Sequence, residues 1–355
     1  MPDTRLTQRN HLRTLLQTIP KIDLHRHMEG SLRLATLAEI AHEHGLDIAS
    51  YDADTLRPLV QMMDDEPNFQ TFLAKFTLLR KFYTSKESVM RIAYEAVADC
   101  AHDNVKYLEL RFNPVAQAYH QGFSFEDVAD WVIAAVKQAE ATFDITVRLI
   151  IQLGRHEPQF ARHLAELAVA RKNEGIVALD LAGDEEHYSA EKFIDVLQWA
   201  KSQGMFITAH AGECQHCPVK NITEAIEVLQ VDRIGHGVQA AQSEPIMALL
   251  REKQITLEMC PTSNIQTAAI DRITRHPLLE FHRRGIPVTI NTDDPSISNI
   301  TLTDEYMVAM RDIGISFDDL RTMILNAANA AFLPADERAT LVAQFQRELA
   351  AFQYP

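Results

Sequence analysis

The chain has 355 residues, of which 46% are hydrophobic and 23% are charged, a mixture typical of a soluble globular protein. Its formal net charge of −15 argues against nucleic acid or an anionic membrane as a partner, so a small molecule is expected. The first 20 residues lack the apolar run of a signal peptide, and no apolar run in the sequence is long enough to span a bilayer. Four cysteines are too few for a disulfide framework in a chain of this length. Together these features predict a cytoplasmic protein.

The order of the predicted elements indicates a parallel sheet. Residues 5–19 have the pattern of an amphipathic helix that Pro20 ends, and a mostly helical insertion at residues 32–102 follows the first strand. Eight strands are predicted, at residues 22–27, 107–112, 145–152, 176–181, 206–209, 233–236, 256–260 and 287–291. Helices are predicted between the later strands, at residues 125–142, 158–173, 190–203, 221–229, 244–253 and 277–284.

This alternation predicts an α/β fold, a (β/α)8 TIM barrel with a helical insertion after strand 1. With no linker, low-complexity tract or internal repeat, residues 1–355 are expected to form a single domain. The alternative is an open doubly wound sheet. That fold would favour a Gly-x-Gly-x-x-Gly run after a strand, and the sequence contains none.

The first predicted strand carries two histidines that can share one ligand. In a strand, residues i and i+2 point the same way, so His25 and His27 lie on one face and both can reach one ion. A helix would place the second ring about 200° around the axis from the first. The pair alone fits a metal site and two hydrogen-bonded buried histidines equally well.

Polar residues also follow the later strands at their carboxyl ends, where barrels of this type carry reactive groups. The runs are Asp180-Leu-Ala-Gly183-Asp184-Glu185, His210-Ala-Gly-Glu213, Gly235-His236-Gly237, Cys260-Pro-Thr-Ser-Asn264 and Asn291-Thr-Asp293-Asp294-Pro295. Each run alone could be a turn or a helix cap, but turn chemistry does not readily repeat at strand after strand. Three histidines and one or two aspartates at one barrel mouth suit Zn²⁺ with an open position for water. The sequence therefore indicates metal-assisted hydrolysis.

Over nearly the whole chain, these motifs resemble, in order, the adenosine deaminase-like branch of the metal-dependent amidohydrolases. The motifs are His25-Arg-His27-Met-Glu29-Gly30, Phe72-Leu-Ala-Lys-Phe76, Leu181-Ala-Gly183-Asp184-Glu185, His210-Ala-Gly-Glu213, Arg233-Ile-Gly-His236-Gly237 and Asn291-Thr-Asp293-Asp294-Pro295. The resemblance implies one Zn²⁺ per chain, held by His25, His27, His210 and Asp293. It also implies a small-molecule purine nucleoside as the substrate, and it leaves the oligomeric state open.

The resemblance further implies catalytic roles for Glu213, His236 and Asp294. Glu213 would be protonated and would donate to N1 of the purine, while His236 would orient and deprotonate the attacking water. Asp294 would hold the N7 side of the ring, and the backbone N–H of Gly183 would face N3, where a side chain is unwelcome. The residue types also allow plainer interpretations, in which Glu213 is an exposed strand-end carboxylate and His236 only supports the site.

The implied reaction is deamination of adenosine and 2′-deoxyadenosine to the 6-oxo purine and ammonia. Phe72, Leu73 and Phe76 look like a hydrophobic gate over the substrate, although the same helix face could equally pack into the core. Glu29 stands where adenosine deaminases commonly place an aspartate that meets the ribose 5′-hydroxyl. Glutamate also occurs there in relatives acting on adenine or aminodeoxyfutalosine, so another 6-aminopurine compound is the alternative substrate.

Two features remain outside this scheme. The run Cys214-Gln-His216-Cys217 could hold a second metal or a redox pair, or it could be an ordinary structural loop, which the absence of a second cysteine pair favours. A different class of function, a catalytically dead purine-binding protein on the same barrel, is disfavoured because every residue needed for turnover is present.

Overall fold

The computed structural model describes residues 4–48, 50–63 and 65–352. Within these residues, eight parallel strands form one sheet in which each strand pairs with the next along the chain. The strands are β1 (Lys21–His27), β2 (Val105–Phe112), β3 (Thr146–Gly154), β4 (Ile176–Ala182), β5 (Phe206–Ala211), β6 (Arg233–His236), β7 (Thr256–Met259) and β8 (Val288–Ile290). Nearly all of their residues are buried, as expected for a parallel sheet covered on both faces.

The sheet closes into a barrel just beyond β8. The backbone N–H of Asp293 donates to the carbonyl of His25 at 2.8 Å, and the N–H of His27 donates to the carbonyl of Asp293 at 2.8 Å. These two bonds join the end of β1 to the chain after β8. The predicted (β/α)8 barrel is therefore confirmed, and its closing seam runs through three of the predicted metal ligands.

Helices surround the barrel in the part of the chain that the structure describes. Those before β3 are α1 (Thr4–Thr18), α2 (Leu34–His44), α3 (Ala53–Val60), α4 (Phe69–Leu79), α5 (Lys86–His102), α6 (Pro114–Ala118) and α7 (Phe125–Glu140). Those from β3 to β8 are α8 (Ala161–Ala170), α9 (Ile194–Ser202), α10 (Lys220–Glu227), α11 (Glu244–Lys253), α12 (Pro261–Gln266) and α13 (Leu278–Arg283). The chain ends with α14 (Pro295–Ser298), α15 (Leu302–Val308), α16 (Phe317–Ala330) and α17 (Ala335–Ala350).

The helical insertion after β1 consists of α2 to α5, as the sequence predicts. Local sequence accounts for the helix boundaries: Asn68 caps α4 by accepting the N–H of Thr71 at 3.0 Å, and Ser85 caps α5 in a capping box with Ser88. None of the helices in the described ranges has both the length and the apolar character required to cross a lipid bilayer.

The barrel interior contains a network of charged side chains that are shielded from solvent. Arg111 contacts Asp180 at 3.0 Å and Glu258 at 2.9 Å, while Arg233 contacts Glu258 at 2.6 Å and also pairs with Glu109. All five side chains are at most 1% exposed. Since a buried charge is costly unless it is paired, losing one member of this network would leave an uncompensated charge inside the barrel.

Candidate active site

Four side chains from three parts of the barrel converge at one point beyond the strand ends. His25 and His27 come from β1, His210 from β5, and Asp293 from the segment after β8. Their potential ligand atoms all lie within 4.8 Å of one another. Asp293 Oδ1 is 3.2 Å from Nε2 of both His25 and His27, and Nε2 of His27 is 3.2 Å from Nε2 of His210. The structure thus brings together all four predicted metal ligands.

The other ring nitrogen of each histidine faces a fixed partner. His25 Nδ1 lies 2.6 Å from Glu258 Oε2, His27 Nδ1 lies 2.8 Å from Gln152 Oε1, and His210 Nδ1 lies 3.1 Å from Asp180 Oδ1. Each partner atom is an acceptor, so each Nδ1 carries the proton and each Nε2 presents a lone pair.

This arrangement fits a bound cation. The Nε2 atoms of His27 and His210, which both lack a proton, face each other at 3.2 Å, and a positive ion between them removes the repulsion of the two lone pairs. Burial lowers the pKa of His210 to about 4, which keeps its ring neutral and able to bind metal. Asp293 Oδ2 is buried and accepts no hydrogen bond from the residues that the structure describes.

Glu213 and His236 lie beside this cluster. Glu213 follows β5 by two residues, His236 ends β6, and His236 Nε2 is 3.7 Å from Glu213 Oε1. Burial raises the pKa of Glu213 well above its usual value, and the nearby carboxylates of Asp293 and Glu185 raise it further. At 5% exposure Glu213 is buried, so the plainer interpretation of an exposed strand-end carboxylate is wrong.

Asp294 is a second acid whose charge is suppressed. Burial raises the pKa of Asp294 well above its usual value, and the charges of Asp293 and Glu213 act in the same direction. Its Oδ1 is buried and has no hydrogen-bond partner within the described ranges. Gly30 allows this packing: a Cβ at Gly30 would lie 1.8 Å from Asp294 Oδ1, so any side chain there would displace the acid.

Glu29 is also buried at the wall of the site. Its Oε1 accepts the backbone N–H of Asn113 at 2.6 Å and the side-chain N–H of Gln117 at 3.0 Å, whereas Oε2 has no partner among the described atoms. Burial raises the pKa of Glu29 to about 7. The free oxygen makes Glu29 available to a polar group of a ligand.

One cavity of about 280 Å³ borders most of these groups, but His25 and His236 do not line it. The predicted residues that line it are His27, Glu29, Phe72, Leu73, Phe76, Gly183, His210, Glu213, Asp293 and Asp294. Its size is close to the lower end of the range for small-molecule sites, which supports a compact ligand. The predicted substrate-binding residues and most of the predicted metal and catalytic residues therefore share one space.

Helix α4 forms one wall of this cavity. Phe72 is 1% exposed and belongs to the main core, while Phe76 is half-buried and meets Phe72 edge-on with ring centroids 6.2 Å apart. Gln70 on the same helix donates to Asp184 Oδ2 at 3.1 Å, which ties α4 to the loop after β4. The helix thus combines a core residue with side chains that face the ligand space.

Gly183 follows β4 and has a φ of +98°, a backbone conformation that residues with a side chain rarely adopt. A Cβ there would meet only the backbone nitrogen of Arg155, at 3.8 Å. The backbone angle therefore accounts for the glycine, because a Cβ at this position would not clash with other protein atoms. The open space beside Gly183 belongs to the cavity.

The Cys214–Cys217 pair is joined by a disulfide bond directly after Glu213. The two cysteines pack with Phe69 and Leu73 of α4, so the bonded loop touches the cavity wall. Both sulfurs are used in this bond and are not free to bind an ion. The structure therefore supports the interpretation of Cys214-Gln-His216-Cys217 as a structural loop rather than as a second metal site.

Sequence reasoning did not identify several residues that orient the site. Gln152 and Glu258 hold His27 and His25, and Glu185 accepts the backbone N–H of Glu213 at 2.8 Å. A charged residue inside the short apolar strand β7 was the available signal for Glu258. Glu185 differs from Gln152 and Glu258, because its place directly after Gly183 and Asp184 allows two roles from the sequence, a helix cap or a partner that orients another active-site group; the contact with Glu213 fits the second role.

Comparison with known proteins identifies the family. The family model for adenosine deaminase matches residues 20–347. An adenosine deaminase from Clostridium botulinum (strain Okra / Type B1) is 38% identical over 324 residues, which cover 91% of this chain and 96% of that protein.

Solved structures show the same architecture. Adenine deaminase from Arthrobacter aurescens has a TM-score of 0.86 at 25% identity and covers 94% of this chain and 100% of its own. A zinc-bound amidohydrolase from Burkholderia ambifaria has a TM-score of 0.85 at 25% identity, with 96% and 95% covered. This chain is an enzyme of the adenosine deaminase family.

Proposed function

We propose that this enzyme catalyses the zinc-dependent hydrolytic deamination of adenosine and 2′-deoxyadenosine, releasing ammonia and the 6-oxo purine nucleoside. The observation that carries the proposal is the convergence of three histidine Nε2 atoms and Asp293 beside a cavity that also contains the buried acid Glu213. The 38% identity to an adenosine deaminase over 91% of the chain supports adenosine as the substrate.

We propose one Zn²⁺ per chain, held by His25, His27, His210 and Asp293. Three imidazole nitrogens and one carboxylate oxygen form a donor set that suits zinc, and the zinc-bound Burkholderia structure supports the same choice. When bound, the ion supplies a positive charge that lowers the pKa of a water molecule to about 7. We also propose that residues 1–355 work as a single domain, which the family match over most of the chain supports.

The purine ring would be held by groups that match N1, N3 and N7, the three ring nitrogens that keep a free lone pair when N9 carries the ribose. Glu213, protonated because burial raises its pKa, would donate its proton to N1 and make C6 electrophilic. Asp294 is kept neutral in the same way, so its carboxyl can donate to N7, which has a lone pair and no proton. The backbone N–H of Gly183 would face N3 from the cavity wall.

Glu213 gives up one proton and regains one in this reaction, so the protons balance. Water adds to C6 while His236 orients it, and Glu213 gives one proton to N1. One water proton then returns Glu213 to its acid form, and the other passes to the amino group. The C6–N bond breaks, ammonia leaves, and a C6 carbonyl remains.

A second candidate reaction is deamination of adenine or aminodeoxyfutalosine, and Glu29 is the observation that favours it. Glutamate is one methylene longer than aspartate, which moves its carboxylate by about 1.3–1.5 Å, and a displaced or unmatched polar contact can discriminate strongly between substrates. The free Glu29 Oε2 would then meet a group other than a ribose 5′-hydroxyl. The 25% identity to an adenine deaminase structure adds weight to this alternative.

Ammonia release measured side by side for adenosine, 2′-deoxyadenosine, adenine and aminodeoxyfutalosine tests the assignment. We expect the highest kcat/KM for adenosine. A tenfold or greater preference for adenine or aminodeoxyfutalosine, about 1.4 kcal/mol of transition-state stabilisation, would replace the substrate while the zinc mechanism stands.

We also retain the cytoplasm as the proposed compartment, because the four cysteines do not form a disulfide framework: Cys100 and Cys260 are buried free thiols, and the one disulfide joins Cys214 and Cys217 within a single loop. The proposed partner is a small purine compound, with no nucleic acid or membrane involved, which the net charge of −15 supports.

A further inference from the structure

Two buried polar residues outside the cavity, Asn264 and His276, lie on the Nδ1 side of the His236 ring. Asn264 lies in α12, after β7, and is 0% exposed. His276 lies two residues before α13 and is 5% exposed. A chain of hydrogen bonds runs from the backbone of Leu278 through both side chains to the His236 ring.

The first bond of this chain fixes the tautomer of His276. The backbone N–H of Leu278 lies 3.2 Å from His276 Nδ1. A backbone N–H can only donate, so Nδ1 must be the acceptor nitrogen of the ring. Burial lowers the pKa of His276 to about 3, so the ring is neutral at pH 7 and its single proton sits on Nε2.

The second and third bonds determine which atoms donate and which accept between His276 and His236. His276 Nε2–H lies 3.1 Å from the Asn264 side chain, so the atom that it meets must be the oxygen Oδ1. That requirement excludes the flipped orientation of the amide. The Asn264 Nδ2–H group then points at His236 Nδ1, 3.1 Å away, and His236 Nδ1 accepts.

We infer that Asn264 and His276 hold His236 in the tautomer with its proton on Nε2, so that His236 presents a hydrogen-bond donor to the reaction centre. His236 Nε2 points toward the cluster: it lies 3.7 Å from Glu213 Oε1, and in the described part of the chain it has no hydrogen-bond partner. The family resemblance implies that His236 removes a proton from water, whereas a neutral ring in this tautomer has no lone pair on Nε2 to receive one.

A donor at this position has a catalytic use of its own. An N–H aimed at the attacking oxygen stabilises the negative charge that develops there. The proton that leaves the water goes to the Glu213 carboxylate, which has just given its own proton to N1, so Glu213 serves as acid and then as base. This inference rests on the proposed function, and it makes Asn264 and His276 positioning residues.

Nitrogen NMR of the zinc-loaded, full-length enzyme with ¹⁵N-labelled histidine tests the tautomer without any turnover. The His236 signals are assigned by their absence in the spectrum of His236→Gln. We expect Nε2 of His236 to show the shift of a protonated ring nitrogen and Nδ1 that of an unprotonated one. The reverse pattern would overturn the inference, even if adenosine is deaminated.

Asn264→Asp provides the functional test. A carboxylate accepts from both neighbours, so His236 would move its proton to Nδ1 and lose the donor at Nε2. We expect kcat for adenosine to fall about 10²–10³-fold, the cost of removing one such donor, while KM and zinc content stay within about threefold. A variant with the inverted NMR pattern and wild-type kcat would show that the donor is not used.

Two variants of His276 separate polarity from packing. His276→Gln keeps an N–H donor toward Asn264 and should retain kcat within about tenfold of wild type, whereas His276→Phe lacks it and should follow Asn264→Asp. Equal kcat losses in both, with normal zinc content and circular dichroism, would mean that the residue only fills space. If Asn264→Asp does not fold, the wild-type spectrum and this pair still decide. Absence of ammonia release from adenosine by the wild type would instead refute the proposed function.

Discussion

Replacing Glu213 by glutamine is the most direct test of proton donation to the purine. The substitution keeps the size of the side chain and its capacity for hydrogen bonds, but an amide cannot transfer a proton at neutral pH. Glu213 is 5% exposed, and burial, reinforced by the charges of Asp293 and Glu185, raises its pKa well above the usual value. The wild-type residue is therefore a neutral acid, and glutamine imitates its charge as well as its shape.

The expected loss follows from this. General acid catalysis contributes about 10²–10⁴ in rate, which corresponds to about 2.7–5.5 kcal/mol of transition-state stabilisation. We expect Glu213→Gln to lose that much in kcat for adenosine while zinc content and affinity for inosine remain. The sign of the pH dependence also follows: the donor is lost as pH rises through the raised pKa of Glu213, so wild-type kcat falls on the alkaline side.

Glu305→Gln is a matched control for this experiment. Glu305 is also buried at 0% exposure, and burial raises its pKa to about 8, but it bonds the backbone N–H of Thr262 and does not line the cavity. The same chemical change there should leave kcat unaltered. If Glu213→Gln raises KM and leaves kcat intact, Glu213 only binds the substrate and the reasoning from its raised pKa is refuted.

Three further predictions concern the metal, Glu29 and the gate. Protein purified without added metal should contain one zinc per chain by elemental analysis, and His25→Ala should lose metal and turnover together; full activity in chelator without metal would contradict this. Glu29 keeps its proton up to about pH 7 in the native state, whereas the unfolded chain loses it near pH 4.5. The free energy of unfolding of the wild type, measured by denaturant titration, should therefore fall by up to about 3 kcal/mol from pH 4.5 to 7 relative to that of Glu29→Gln. If the two proteins show the same dependence of unfolding free energy on pH, the pKa of Glu29 is not raised. Phe72→Ala should cost about 3–5 kcal/mol of stability, whereas Phe76→Ala should change KM or kcat with a small loss of melting temperature; a large stability loss with normal kinetics would identify Phe76 as core.

The sequence was sufficient to predict the ligand positions because they depend on local periodicity and on one rule of the fold. Alternation along β1 places His25 and His27 on one face, and the carboxyl-end rule for barrels gathers His210 and Asp293 at the same mouth. Neither step requires knowledge of which strands are neighbours. The local hydrophobic pattern was enough to predict the eight strands within a few residues, and the positions of the four metal ligands followed from the strand ends.

The partners that orient these ligands could not be predicted, because they depend on register across the barrel. Glu258 bonds a ring that is 233 positions away in the sequence, and Gln152 bonds one that is 125 positions away. A shift of one residue in β3 or β7 would turn either side chain to the other face of the sheet. The same holds for Asn264 and His276, whose polarity is defined only by the backbone N–H of Leu278.

Backbone geometry adds a constraint that the sequence does not reveal. His236 and Asp293 adopt left-handed φ angles of +62° and +60°, which cost residues with side chains about 1–3 kcal/mol each. Asp293 is held in this conformation by its two backbone bonds to His25 and His27, which close the barrel. His236 is held from the other side by Asn264. The barrel closure that positions the candidate metal ligands therefore also maintains the strain at Asp293, so a substitution that loosens this seam should affect metal affinity before it affects the fold.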